Sequence, residues 1–134
     1  MKTTTRTIAY LRKLGLRCGT VEKWNPWAKR PDGGKGISQD LFEFIDIICL
    51  QERGWVCIQA CGTDFQEHIR KITIEKADIV RDALSIGKDQ TEPNPGVYLE
   101  IWGWRKVKKV KGGKQMIWKP RIQEIKLGDL EGDK

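Results

Sequence analysis

Between Asp40 and Leu50 the chain reads Asp-Leu-Phe-Glu-Phe-Ile-Asp-Ile-Ile-Cys-Leu, an apolar strand with an acid, Asp46, at its centre. Phe44 and Ile45 precede Asp46, and Ile47 and Ile48 follow it. An ionised carboxylate so flanked is costly unless it is paired, hydrogen-bonded or bound to a cation. A segment that had only to be a strand would carry Val or Thr there. The run is apolar on both faces, as expected of a strand at the centre of a covered sheet. It therefore calls for a mixed α/β domain with helices on a central sheet, and it asks what Asp46 is for.

At 134 residues the chain has room for one domain with a real core, which the sequence pattern places at residues 1–126, followed by a polar tail at 127–134 that is expected to fray. The first residues lack the apolar core and small-residue cleavage site of a signal peptide. No apolar run approaches the length of a membrane span. The expectation is a soluble, cytoplasmic protein with no membrane partner. Cys18, Cys49, Cys57 and Cys61 do not form the knuckles of a zinc ribbon, since only Cys57 and Cys61 come close and they lie in a strand-like segment. Cys49 and Cys57 sit in apolar runs, where cysteine acts as a small hydrophobe. Buried, reduced thiols are the expectation.

The net charge of +7 is unevenly spread. From Ile101 to Lys119 the chain carries Arg105, Lys106, Lys108, Lys109, Lys111, Lys114 and Lys119 and no acid. Trp102, Trp104 and Trp118 are interleaved with them. A one-sign patch with aromatics suits a phosphate backbone; a solvated hairpin that keeps the protein soluble is the plainer alternative. Of these residues, Arg105, Lys106, Lys108, Lys109, Lys111 and Lys114 are the candidate nucleic-acid contacts. Trp102 and Trp104, alternating about Gly103, are expected to face the core or a helix.

The pattern predicts a helix over 3–14, a strand over 16–24, a basic loop over 25–39, strands over 41–50 and 54–61 joined by a hairpin at 51–54, and a helical region from 65 to 84 with a kink or break at Thr73-Ile74. Thr63 or Asp64 can cap that region. A loop over 87–95, strands over 97–107 and 116–125, and a hairpin turn at Lys111-Gly-Gly-Lys114 complete the chain. Period-two alternation puts Asp46 on one face of the second strand, with Gln59 able to face the same way from the third. Asp40 stands at the second strand's mouth. His68 and Lys71 share a side of the following helix. Carboxylates, an amide oxygen and a nearby ammonium are the material of a Mg²⁺ site acting on phosphate.

Taken together, these residues resemble the PD-(D/E)XK nuclease superfamily, and more closely small phage and bacterial proteins of the Holliday junction resolvase-like or VRR-NUC-like type. The resemblance covers roughly residues 3 to 125. It is carried by the element order, by Asp40 to Asp46 as a D-x-F-x-F/G-x-D strand, by Gln59 on the next strand, by the basic helix from His68 to Lys71, and by Gly103-Trp104-Arg105-Lys106. It implies a restriction-endonuclease-like α-β-β-β-α-β core, a central mixed sheet flanked by helices, with an added C-terminal β-hairpin. It implies Asp46, Gln59 and Asp40 as ligands of Mg²⁺ or Mn²⁺, Asp46, Gln59 and Lys71 as catalytic residues, DNA as partner, and a homodimer as a compatible state. Gln59-Ala60-Cys61 stands where the superfamily carries its (D/E)-x-K. The helix over 3–14 holds no acid, which leaves Glu22 as the nearest substitute for the first-helix Glu. The expected function is a metal-dependent endonuclease hydrolysing DNA, branched or phage DNA included. The alternative is a nuclease-fold protein that binds nucleic acid without cleaving it, and an interaction protein whose basic hairpin meets an acidic protein is a third.

Overall fold

The computed structural model describes residues 2–86 and 96–132. The loop expected at 87–95 lies outside the described residues. Helix α1 (Thr3–Lys13) leads to strand β1 (Arg17–Thr20), a two-stranded unit of β2 (Lys23–Lys29) and β3 (Lys35–Gln39), then β4 (Ile47–Gln51) and β5 (Gly54–Cys61). Helices α2 (Phe65–Arg70) and α3 (Ala77–Leu84) flank a π-helical turn (Lys71–Glu75), and β6 (Gly96–Lys108) and β7 (Met116–Ile125) follow. The main sheet has the order β1-β4-β5-β6-β7, with β5 and β6 parallel and every other pair antiparallel. The α/β class with a mixed sheet is as the sequence indicates.

Both faces of the sheet are covered, which explains the doubly apolar β4. On one face α1 packs Leu11 against Ile47, Cys49, Val56, Ile58, Trp102 and Trp104. Basic Arg12 and Lys13 in the last turn of α1 suit its negative end, and Gly15, at φ +82°, terminates it. Thr7 is fully buried; its hydroxyl donates to the Thr3 carbonyl and accepts the Trp104 indole N–H at 2.8 Å. Trp102 and Trp104 thus face a helix, as expected. Tyr10 meets both rings edge-on.

On the other face Phe65, Ile72, Ala77, Val80 and Leu84 cover Cys57, Cys61, Leu99, Ile101 and Ile125. The break anticipated at Thr73-Ile74 is the π-helical turn, in which the Lys76 amide reaches back five residues to the Lys71 carbonyl at 3.0 Å. The Thr73 hydroxyl bonds the Ile69 carbonyl at 2.8 Å, competing with regular helix bonding. Far from that turn, Arg53 ties β6 to β7 by pairing with Glu100 and Glu124, its guanidinium over the Tyr98 ring. All four cysteines are free, and Cys49, Cys57 and Cys61 are buried.

Four segments differ from the sequence expectation. The strand expected over 16–24 ends at Thr20, and Lys23 and Trp24 open β2 in the separate two-stranded unit. The strand expected from Leu41 begins only at Ile47, because Leu41 and Ile45 pair as an isolated bridge and the chain between them turns back on itself. Phe42 and Glu43 take positive φ values of 53° and 69° to allow this. The basic loop over 25–39 contains the β2–β3 hairpin, turned by Arg30-Pro-Asp-Gly-Gly34 with the Arg30 amide on the Gly34 carbonyl. The residues after β7 do not fray over 127–132. A 3₁₀ turn (Leu127–Asp129) is followed by Leu130, buried in the helix-side core, and by Glu131, whose amide bonds the Thr73 carbonyl. No helix among the described residues is long and apolar enough to cross a membrane.

Candidate metal and nucleic-acid site

The turn from Asp40 to Asp46 builds an acidic site. Because Leu41 and Ile45 exchange backbone hydrogen bonds, the residues on either side of the bridge, Asp40 and Asp46, come together. Phe44 and Ile45 anchor the turn in the helix-side core. Asp46 sits beyond the first residue of β4, where its amide donates to the Ile58 carbonyl and its own carbonyl accepts the Val21 amide. Its carboxylate accepts the Ala60 N–H at 2.8 Å, so it holds the stretch of β5 on both sides of Gln59. Glu22 completes the group: one carboxylate oxygen from each of Glu22, Asp40 and Asp46 lies within 4.8 Å of the others. The Thr4 hydroxyl donates to Glu22 at 2.9 Å, which links α1 to the site.

Three acids so close repel one another, and Asp46 is only 4% exposed. Burial pushes its carboxyl up to about 8, helped by a hydrogen bond with Asp40 and by the charges of Asp40 and Glu22, against the opposing Ala60 amide. Near neutral pH Asp46 therefore keeps a proton that a cation would displace. Gln59 is 7% exposed, and its Oε1 is buried with no hydrogen-bond partner among the described residues. A buried amide oxygen left unpaired is costly, and the three carboxylates nearby in the fold offer the hard oxygens that a divalent cation takes. Glu22, Asp40 and Asp46 thus form a group that could hold a metal ion.

The structure brings Asp40 and Asp46 together with Glu22, and Gln59 precedes Ala60, whose N–H donates to the Asp46 carboxylate. It places Lys71 on the exposed side of the π-helical turn, where its charge acts on Glu43, itself paired with Lys76. Burial, Asp40, Glu22 and the Ala60 amide account for the shift of Asp46, and Lys71 does not contribute to it. Arg121 on β7 is the cation that sequence reasoning missed. Cys61, Gly103 and Arg121 form one row across β5, β6 and β7. The Arg121 guanidinium lies 4.5 Å over the Phe65 ring, its charge acts on Cys61, and its Nε is buried without a partner among the described residues. A positive residue facing inward on a strand otherwise rich in exposed charge gives no signal in sequence. Cys61 itself is pushed up to about 12, chiefly by burial, and is a neutral thiol. His68, from the first turns of α2, pairs with Asp64 at 2.8 Å, and Asp64 also accepts the Gly62 amide.

The basic strands stand at the same end of the sheet. Thr20 of β1 lies opposite Ile47, Ile47 opposite Ile58, and Cys61 beside Gly103, which aligns the end of β1, the start of β4 and the end of β5. From Gly103, β6 runs on past this end to Lys108, and β7 returns from Met116. Arg105, Lys106, Lys108, Lys109, Lys111 and Lys114 are all exposed on this extension. Trp118 there is half exposed, with the Arg6 guanidinium 3.9 Å and the Lys106 ammonium 5.4 Å from its ring. No family model, curated protein or solved structure matches this chain.

Proposed function

We propose that this chain is a metal-dependent endonuclease that hydrolyses DNA phosphodiester bonds, with a restriction-endonuclease-like core. With the β2–β3 hairpin set aside as an insertion, the order α1, β1, β4, β5, α2 with α3, β6 follows the α-β-β-β-α-β pattern. The observation that carries the proposal is the placement of Glu22, Asp40, Asp46 and the unpaired Gln59 oxygen at the end of the sheet from which the basic β6–β7 extension projects. Acids alone repel DNA. Acids set beside a cationic surface suit a cation held between protein and phosphate.

Bound Mg²⁺ or Mn²⁺ supplies charge neutralisation at the phosphate and a water of lowered pKa. Asp40, Asp46 and Glu22 would hold it, with Gln59 as a further oxygen donor, and Asp46 would lose its proton on binding. Arg121 brings permanent positive charge to the Cys61 end of β5, where the superfamily has its lysine, and there it offsets charge developing on phosphate oxygens. Lys71, on the exposed side of the π-helical turn, serves the incoming strand. Arg105, Lys106, Lys108, Lys109, Lys111 and Lys114 hold the phosphate backbone and set a steep salt dependence.

The second reading, binding without cleavage, is favoured by one observation: the residues at the (D/E)-x-K positions, Gln59 and the neutral Cys61 thiol, offer neither the acid nor the cation. Incubation of purified protein with single-stranded, duplex and branched DNA in Mg²⁺ or Mn²⁺ decides between them. Cleavage that EDTA stops and that Asp46→Asn and Asp40→Asn each lower at least about a hundredfold supports the nuclease. Salt-dependent DNA retardation in EDTA with no cleavage of any substrate selects the second reading. No retardation at low salt overturns both.

A further inference from the structure

The β2–β3 hairpin interrupts the core between two of the three acids. Glu22 immediately precedes Lys23, the first residue of β2, and Asp40 immediately follows Gln39, the last of β3. The hairpin is rooted in the candidate metal site, yet nothing so far accounts for its surface. Trp27 is 82% exposed and Trp24 60% exposed, although each adds a large apolar area to water. Lys23, Lys29, Arg30 and Lys35 are exposed beside them, and the only acid between Lys23 and Gln39, Asp32, pairs with Arg30.

The backbone shapes these tryptophans as platforms. The Trp24 ring lies against Gly36, its Cζ2 and Cη2 so close that a Cβ there would meet them at 2.3 and 2.4 Å. The benzo part of the ring is thus seated on the hairpin. Trp27 stands in a bulge: Asn25 pairs with Ile37 and Lys29 with Lys35, so Pro26, Trp27 and Ala28 oppose Gly36 alone. Bulges re-aim side chains, and this one is fixed by Pro26 and by the Trp27 amide on Asn25 Oδ1 at 3.1 Å. Rigid, outward aromatic faces between cations match the stacking platforms that hold unpaired bases while lysines track the phosphates. A second copy of the chain would bring like charges together on this hairpin, so an anionic partner is favoured.

We infer that the β2–β3 hairpin takes unpaired bases on Trp24 and Trp27 and their phosphates on Lys29, Arg30 and Lys35, so that the substrate is nucleic acid with a single-stranded part. The inference rests on the nuclease reading for the choice of nucleic acid over other anions. A strand stacked on the hairpin would lead into its roots, Glu22 and Asp40.

The test measures binding of the full chain in EDTA, by fluorescence anisotropy, to a single-stranded oligonucleotide, a blunt duplex and a duplex with a single-stranded flap. The inference expects tighter binding to single strand and flap than to blunt duplex, with quenching of tryptophan fluorescence. Trp27→Ala lowers the ratio of single-strand to blunt-duplex affinity about tenfold, and Lys29→Ala with Lys35→Ala lowers the salt slope for single strand by about 1.4. An unchanged ratio in both Trp27→Ala and Trp24→Ala overturns the inference. So does sedimentation showing that Trp27→Ala converts a dimer to a monomer, or tighter binding to phosphatidylserine vesicles than to any oligonucleotide. Cleavage is scored separately in Mn²⁺. Hairpin-dependent single-strand binding without cleavage sinks the nuclease reading alone, and cleavage with an unchanged affinity ratio sinks the hairpin inference alone.

Discussion

Asp40 and Asp46 flank the Leu41–Ile45 bridge, and their carboxyl groups share a hydrogen bond. That contact has a sign that solution measurements read directly. Folding raises Asp46 from the ordinary carboxylate range near 4 to about 8. Between those values the folded state holds a proton that the unfolded chain has lost, so stability falls as pH rises through this window. Glu43, Asp64 and Glu67, whose carboxyls are lowered, act below it. Denaturant unfolding in EDTA should give a midpoint that declines from about pH 5 to about pH 8 and then levels. Mn²⁺ should reverse the decline, with proton release on binding seen by calorimetry in buffers of different ionisation heat. A midpoint that rises across this window in EDTA would contradict the shared proton.

Two substitutions at Asp46 separate its structural bond from its charge. Asp46→Ala leaves the buried Ala60 N–H without its acceptor, at a cost of about 1–3 kcal/mol. Asp46→Asn keeps an oxygen for that bond and an N–H that can take the place of the carboxyl proton toward Asp40, so its unfolding free energy at neutral pH should lie above that of Asp46→Ala. Both should abolish the Mn²⁺-induced rise in melting temperature. If Asp46→Asn retains the full rise, the carboxylate is not a ligand.

The turn that assembles the acids holds Phe42 and Glu43 in the left-handed region, at φ 53° and 69°. For residues with a side chain this costs about 1–2 kcal/mol each. Phe42 is more than half exposed, so Phe42→Gly loses little packing. The variant should gain up to about 1 kcal/mol in unfolding free energy while binding Mn²⁺ less tightly, since the turn no longer fixes Asp40 against Asp46. Chemical denaturation and metal titration of one preparation check both halves. Unchanged stability would mean that the turn carries no strain.

How much of this was legible in the sequence depended on how local the cause was. The β5 and β7 boundaries and the π-helical break followed from apolar pattern and punctuation over a few residues. The strand expected from Leu41 failed because Phe42 and Phe44 alternate like strand residues, whereas the turn is fixed by a long-range demand, the burial of Phe44 and Ile45 under the helices. Asp46 stood out in the sequence by its apolar flanks, but its place just before β4, with its carboxylate on the Ala60 N–H, follows from that long-range turn. The β2–β3 hairpin was hidden because its strands are exposed and carry no alternation, so only its turn showed. Glu22 is 18 residues from Asp40 along the chain, and Arg121 is separated from Cys61 by a whole strand. Sheet order, which no short window contains, brings each to its neighbours.

Gly103 tests the row that delivers Arg121. A Cβ at this position would lie 2.3 Å from Phe65 Cδ1, 2.8 Å from Cγ and 3.0 Å from Cβ. Phe65 is itself buried, and the Arg121 guanidinium rests on its ring. Gly103→Ala cannot be absorbed by the end of a flexible chain, because the clash runs along the side chain to its root at the start of α2. Overpacking of this kind costs about 1–3 kcal/mol, and the shift of Phe65 should carry Arg121 away from Cys61. The expected result is a lower denaturation midpoint together with a loss of DNA cleavage greater than the fraction unfolded explains. Arg121→Lys should lose the planar contact with Phe65 and cleave more slowly at near-normal stability. If Gly103→Ala is destabilised yet cleaves normally per folded molecule, Arg121 is a structural cation and takes no part at the phosphate.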